Sequence, residues 1–204
     1  MKQSIIGIAA ATAAAWVGAQ SIRFDSEPTG AAPAGWTCGV TGHGSPRWTV
    51  EPGQAGGRVL LQSGNGTFPW CVRSGTAVAD GFVEARFQPI SGRQDQAGGV
   101  VWRWKDGDNY YVARANALEN NVSLYYTEHG SRKTLKYVDA PVARGQPHTL
   151  RVEFAGDQIA VWLDGTRYID MRDAHIAGPG AVGVWTKADS VTAFSEFSYG
   201  RAAR

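Results

Sequence analysis

Hydrophobic and polar residues alternate with period two through much of the chain. In "DGFVEARFQPI" (80–90), Phe82, Glu84, Arg86 and Gln88 fall on one side, and Val83, Ala85, Phe87 and Pro89 on the other. That is the pattern of a half-buried strand. "RWTVE" (47–51) and "GRVLLQS" (57–63) predict early strands. "VVWRW", "YYVARA", "VSLYYT" and "RKTLKYV" predict a meander in the middle. "HTLRVEF" turns at "AGDQ" into "IAVWLDG", and Asp164-Gly165 turns into "TRYIDMR"; both are hairpin signals. "GAVGVWTKADS" and "VTAFSEFSYG" close the chain. About a dozen short strands with tight turns predict an all-β sandwich. No sequence repeat suggests a propeller or solenoid.

The first residues break this pattern. Lys2 precedes the apolar stretch "IIGIAAATAAAWVGA", which ends in small residues. Val17 and Ala19 fit the −3 and −1 positions of a signal-peptide cleavage site. The expectation is a leader at 1–19, cleavage between Ala19 and Gln20, and one domain over 20–204 in the periplasm or outside the cell. The alternative is a buried or membrane-spanning helix, for which the stretch is short. The mature chain carries no other candidate span.

Export gives the two cysteines, Cys38 and Cys71, a meaning. An oxidising compartment favours a disulfide between them over two reduced buried thiols. The loop of about 33 residues would make that bond worth on the order of 3–4 kcal/mol. No C-x-x-C motif supports redox chemistry, and too few soft ligands are grouped for zinc.

Parity sorts the meander into two faces. Pairing Trp104 with Asn109, Arg103 with Tyr110, and Arg114 with Ser123 gives a core face of Val100, Trp102, Trp104, Tyr111, Ala113, Ala115, Val122, Leu124 and Tyr126. The opposite face carries Gly99, Val101, Arg103, Tyr110, Val112, Arg114, Ser123, Tyr125 and Thr127. A one-residue slip of the first pair would set Arg114 among tryptophans, a costly burial of charge. In "GVWTK", Gly183, Trp185 and Lys187 share a face. Guanidinium groups offer rigid donors, and aromatic rings offer flat apolar surface. Together they suit a sugar, and Gly99 beside Arg114 would leave it room. The plainer alternative is a solvated face of an antiparallel sheet.

The connection "NALENN" places Asn116, Glu119 and Asn121 at the edge of that face. Glu119 is the best single candidate for an acid/base group; the alternative is a turn carboxylate that caps backbone N–H groups. The net charge of +2 is spread along the chain, with no basic run for nucleic acid. The four histidines are scattered, so no metal site is expected. Asp106, Asp108 and Asn109 lack the full ligand pattern of a calcium loop and read as a hairpin turn, which leaves structural calcium without support. No cofactor is expected.

"AGGVVWRWKDGDNYYVARANALENNVSLYYTEHGSRKTLK", "HTLRVEFAGDQIAVWLDGTRYI" and "GAVGVWTKADSVTAFSEFSYG" resemble an exported bacterial family. It is related to the domain family named for 3-keto-disaccharide hydrolysis, often labelled similar to glycoside hydrolase family 16, within the concanavalin A-like lectin and glucanase superfamily. The resemblance runs from about Phe24 to Tyr199. It implies a jelly-roll β-sandwich of two antiparallel sheets, with carbohydrate (a glucan, disaccharide or glycoside) on the concave face. The matching motif positions are Arg103, Asn109, Tyr110, Tyr111, Arg114, Asn116, Glu119 and Asn121. The family 16 strand with two glutamates around an aspartate is missing. Retaining hydrolysis needs two carboxyl groups about 5 Å apart, and Glu84 and Glu153 each stand alone on their strands. The expected ligand contacts are Arg103, Tyr110, Arg114, Asn116, Asn121, Tyr125, Trp185 and Lys187. The expected activity is sugar binding; the alternative is a glycoside or keto-glycoside hydrolase or lyase using Glu119 beside arginine and asparagine.

Overall fold

A computed structural model describes residues 16–203, and residues 1–15 of the expected 1–19 leader lie outside them. The strands are β1 (Trp16–Ile22), β2 (Trp36–Ser45), β3 (Trp48–Pro52), β4 (Arg58–Gln62) and β5 (Asn65–Arg73). Then come β6 (Gly81–Ser91), β7 (Ala97–Asp106), β8 (Asn109–Asn116), β9 (Asn121–Glu128) and β10 (Ser131–Asp139). The last are β11 (His148–Ala155), β12 (Gln158–Leu163), β13 (Thr166–Arg172), β14 (Ala181–Trp185) and β15 (Val191–Ala202).

They form two antiparallel sheets. One runs β10-β9-β8-β7-β14-β5-β2; the other runs β13-β12-β11-β6-β15-β4-β3, with β1 added beside β15. The main core lies between the sheets and includes Val83, Ala85, Phe87, Trp102, Tyr111, Leu124, Val152 and Phe197. The alternation read in β6 holds: Val83, Ala85 and Phe87 are buried, while Glu84, Arg86 and Gln88 keep some exposure. Gly98 is required where the sheets meet, because a Cβ there would lie 2.1 Å from the Phe87 ring. The Asp164-Gly165 turn has φ of 50° and 80°, the paired positive values of a tight hairpin.

The expected cleavage point falls inside β1. Pairing with β15 is irregular between Val17 and Gln20, then continues as Gln20 with Tyr199, Ser21 with Ser198 and Ile22 with Phe197. The Cys38–Cys71 disulfide is present and joins directly paired residues of β2 and β5. No helix among the described residues is long and apolar enough to cross a membrane.

The meander pairs Trp102 with Tyr111, Gly99 with Arg114, and Arg114 with Ser123, the register parity predicts. It departs at one point. Asp106, not Trp104, pairs with Asn109, and the register shifts after Trp102. Arg103 sits in this bulge at φ 46°. A bulge turns the following side chains to the other face, so Arg103 and Trp104 exchange places. Trp104 leaves the core and packs against Trp70, centroids 5.1 Å apart.

Candidate functional site

The outer face of the seven-stranded sheet carries a second apolar cluster, built on Trp70, Val72, Val101, Tyr110, Val112, Tyr125 and Trp185. Polar and charged side chains gather beside it. Arg114 is only 2% exposed, so its charge needs partners. Its Nη1 lies 3.4 Å from Oδ2 of Asp95, and its Nη2 donates to Glu119 Oε2 at 2.6 Å and to Asn121 Oδ1 at 3.3 Å. Lys187 Nζ reaches Asp95 Oδ2 at 2.7 Å, and Asn116 Nδ2 donates to Asp95 Oδ1 at 2.7 Å. Asn121 donates to Glu119 Oε2 at 2.8 Å and to the Tyr137 hydroxyl at 2.6 Å, and accepts from Ser123 Oγ at 2.9 Å.

Three loops and strands build this cluster. The 92–96 loop brings Asp95 under the guanidinium, and Asp189 ties that loop down by accepting from the backbone N–H groups of Arg93, Gln94 and Asp95. The turn between β8 and β9 brings Glu119, and Asn116 Oδ1 shapes it by accepting from Leu118 N–H at 2.9 Å. The segment after β14 brings Lys187. Beside them Arg132, from edge strand β10, lies over the rings of Tyr125 at 4.2 Å and Phe68 at 4.4 Å, within cation–π range.

The two carboxylates differ. Burial pushes the Asp95 carboxyl up, against the pull of Arg114 and Lys187. Burial also acts on Glu119, but the Asn121 hydrogen bond and the Arg114 charge outweigh it and hold that carboxyl below its ordinary value. Asp95 is sealed, while the Glu119 side chain is 38% exposed and Lys187 28% exposed. Tyr137 is exposed as well. The surface above Arg114 therefore presents an anionic acceptor, a cationic donor and a phenol.

Of the residues expected here, Arg114, Asn116, Glu119, Asn121 and Lys187 do meet. Tyr110, Tyr125 and Trp185 lie on the same face but are buried beneath it. Tyr110 is held by Thr41, with 2.8 Å between the hydroxyls, and burial raises its pKa. Trp185 stacks on Phe68 with centroids 5.7 Å apart. Gly99 opens no room for a ligand, since a Cβ there would meet the Ala113 carbonyl at 2.7 Å and the Trp185 ring at 3.2 Å. Trp185 fills that space.

Arg103 does not join the group. It stands four residues along β7 from Gly99, about 13 Å at strand spacing. Its donors bind the carbonyls of Ala79, Ile176 and Gly156, and its Nη2 lies 3.6 Å from Asp80. The bulge carries it there, and its role is to close backbone ends. Sequence reading missed Asp95, Arg132 and Tyr137. Asp95 had one signal: a guanidinium on a covered face demands a carboxylate, and "SGRQDQAGG" holds one just before Gly99. Arg132 and Tyr137 gave none, because β10 reads as an ordinary polar edge strand.

No protein-family model matches the chain. Among solved structures it is similar to the carbohydrate-binding module CBM66 of Bacillus subtilis, with 21% identity and a TM-score of 0.69 over 81% of this chain and 95% of that one. It is also similar to the β-glucanase of Bacillus licheniformis, with 13% identity and a TM-score of 0.62 over 92% and 99%. The chain has the concanavalin A-like jelly-roll fold. Among curated proteins, the levanase of Bacillus subtilis (strain 168) is 27% identical over 140 residues, 68% of this chain. That match covers 21% of the levanase, so this chain corresponds to about a fifth of it.

Proposed function

We propose that this protein is an exported carbohydrate-binding β-sandwich whose sugar site is the Arg114–Glu119–Lys187 cluster. The observation that carries this reading is the convergence of those groups beside the apolar cluster on the outer face of the seven-stranded sheet. Sugar hydroxyls both donate and accept. Glu119, Lys187 and Tyr137 offer both kinds of partner at the surface, while Arg114, Asp95, Asn116 and Asn121 hold them in place from below. Part of the chain's likeness is to a levanase, so levan and fructo-oligosaccharides join glucans and disaccharides as candidate ligands. The disulfide supports export.

Calorimetric titration against fructo-oligosaccharides, β-gluco-oligosaccharides and disaccharides tests this reading. Saturable binding that loses one equivalent in Glu119→Ala supports it. No binding across the panel contradicts it.

Hydrolysis is the second reading. Its motive is that Asp95 and Glu119 share one guanidinium while their environments push their pKa values in opposite directions, the arrangement of an acid and a base. Against it, Asp95 is sealed beneath the surface and every oxygen it has is already engaged. Product analysis by mass spectrometry on fructans and 3-keto-glycosides decides between the two; turnover that survives in Glu119→Gln would eliminate that residue as the acid/base.

A further inference from the structure

The outer face of the eight-stranded sheet carries a different group of side chains. On β12, Ile159, Val161 and Leu163 point into the core, which leaves Gln158, Ala160 and Trp162 outside. Trp162 is only partly buried. Its neighbours across the sheet are Arg151 on β11 and Arg167 on β13. The β12–β13 register shifts beside it, with Val161 opposite Ile169 but Trp162 opposite Arg167. Bulges of this kind re-aim side chains and are frequent next to binding sites.

Two cavities flank the indole. One of about 370 Å³ includes Phe154, Ala160, Arg167 and Asp170 in its lining. The other, of about 190 Å³, includes Glu84, Thr149 and Arg151. Trp162 and Glu153 line both. The charges there pair off. Arg151 lies 2.9 Å from Glu153 and 3.4 Å from Glu84, and Arg167 lies 2.8 Å from Asp170. The face is thus dense in donors and acceptors yet has little uncompensated charge. That disfavours a phosphate or a strongly charged peptide. It suits a neutral polyol: the indole covers a C–H face, and the paired carboxylates and guanidiniums bind hydroxyls. Ala160, two residues before Trp162 on the same side, leaves the flank of the ring uncrowded.

We infer that the protein carries a second glycan subsite on the eight-stranded sheet, with Trp162 as its platform and Glu84, Arg151, Glu153 and Arg167 as its polar partners. This subsite and the Glu119 cluster lie on opposite outer faces of a sandwich whose core is about 10 Å thick. They therefore point in opposite directions, and a polysaccharide bound at both is cross-linked between chains.

Nitrogen-15 NMR of the tryptophan indoles tests this, with the Trp162 signal assigned by its loss in Trp162→Phe. Fructo-oligosaccharide and β-gluco-oligosaccharide are the probes. The expected result is a saturable shift of the Trp162 indole signal that persists in Glu119→Ala. Trp162→Ala weakens binding at this subsite by roughly tenfold or more and leaves the Glu119 cluster responsive. With polymeric levan or β-glucan, the wild type raises turbidity and each single variant does not. A Trp162 signal that stays still while signals around Glu119 move overturns the inference. So does a Trp162 shift that vanishes in Glu119→Ala.

Discussion

Arg114 and Asp95 form an ion pair at 3.4 Å in which the two side chains are 2% and 0% exposed. Taking two charges out of water is costly, and only close partners offset it. Asn116 and Lys187 also engage Asp95, while Glu119 and Asn121 accept from Nη2 of Arg114. Removing one member leaves the other charge buried with fewer partners. Asp95→Ala is expected to destabilise the fold by about 3–5 kcal/mol, read as a lower urea midpoint with an unchanged slope.

Arg103 separates structure from binding. Its guanidinium serves backbone carbonyls at the end of the sandwich, away from Arg114. Arg103→Ala is expected to cost on the order of 3 kcal/mol in stability, from buried carbonyls left unpaired. Sugar affinity of the folded fraction should stay at the wild-type value. A large affinity loss with unchanged stability would place Arg103 in the site after all.

The two arginines also mark how far the sequence could be read. Alternation in β6, the turn at Asp164-Gly165 and the pairing of Arg114 with Ser123 were legible, because period-two patterns and turn residues are local signals. The position of Arg103 was not. Parity assumes an unbroken ladder, and the bulge after Trp102 is fixed by carbonyls from three distant segments. Glu119 and Lys187 could be placed on the correct face. Asp95 came from a loop whose path depends on its contacts with Asp189, which strand periodicity does not encode. Tyr110 and Trp185 were correctly faced, yet parity could not show that Phe68, Arg132 and their neighbours cover that face.

Acid should act through Asp173. Burial raises its pKa, but hydrogen bonds from the Tyr111 hydroxyl and from His175 outweigh burial and hold it below the ordinary 3.8. A depressed carboxyl contributes stability that is fully present above its unfolded value and is lost as pH falls through the folded value. Wild-type stability should therefore decline in acid below about pH 4, with Asp173→Asn showing a smaller decline and lower stability at neutral pH. Thermal melts from pH 2 to 7 read both. An identical acid slope in the variant would show that Asp173 contributes nothing to it.

The disulfide between β2 and β5 closes a separation of 33 residues. Its removal in Cys38→Ala/Cys71→Ala is expected to lower stability by on the order of 3–4 kcal/mol through the freer unfolded chain. Denaturant titration of the oxidised protein and the double variant checks this. Sugar binding should persist in the variant under native conditions.

Whether sugar binds at the Glu119 cluster is decided by comparing two variants. Calorimetry with fructo-oligosaccharide and β-gluco-oligosaccharide should be run on Trp162→Ala, which isolates that cluster, and on Trp162→Ala/Glu119→Ala. Glu119 is partly exposed, and Arg114 keeps Asp95 and Asn121 without it, so the second protein should fold. Removing Glu119 is expected to weaken the remaining binding by roughly tenfold or more with little change in melting temperature. Equal affinity in the two proteins would contradict sugar binding at that cluster.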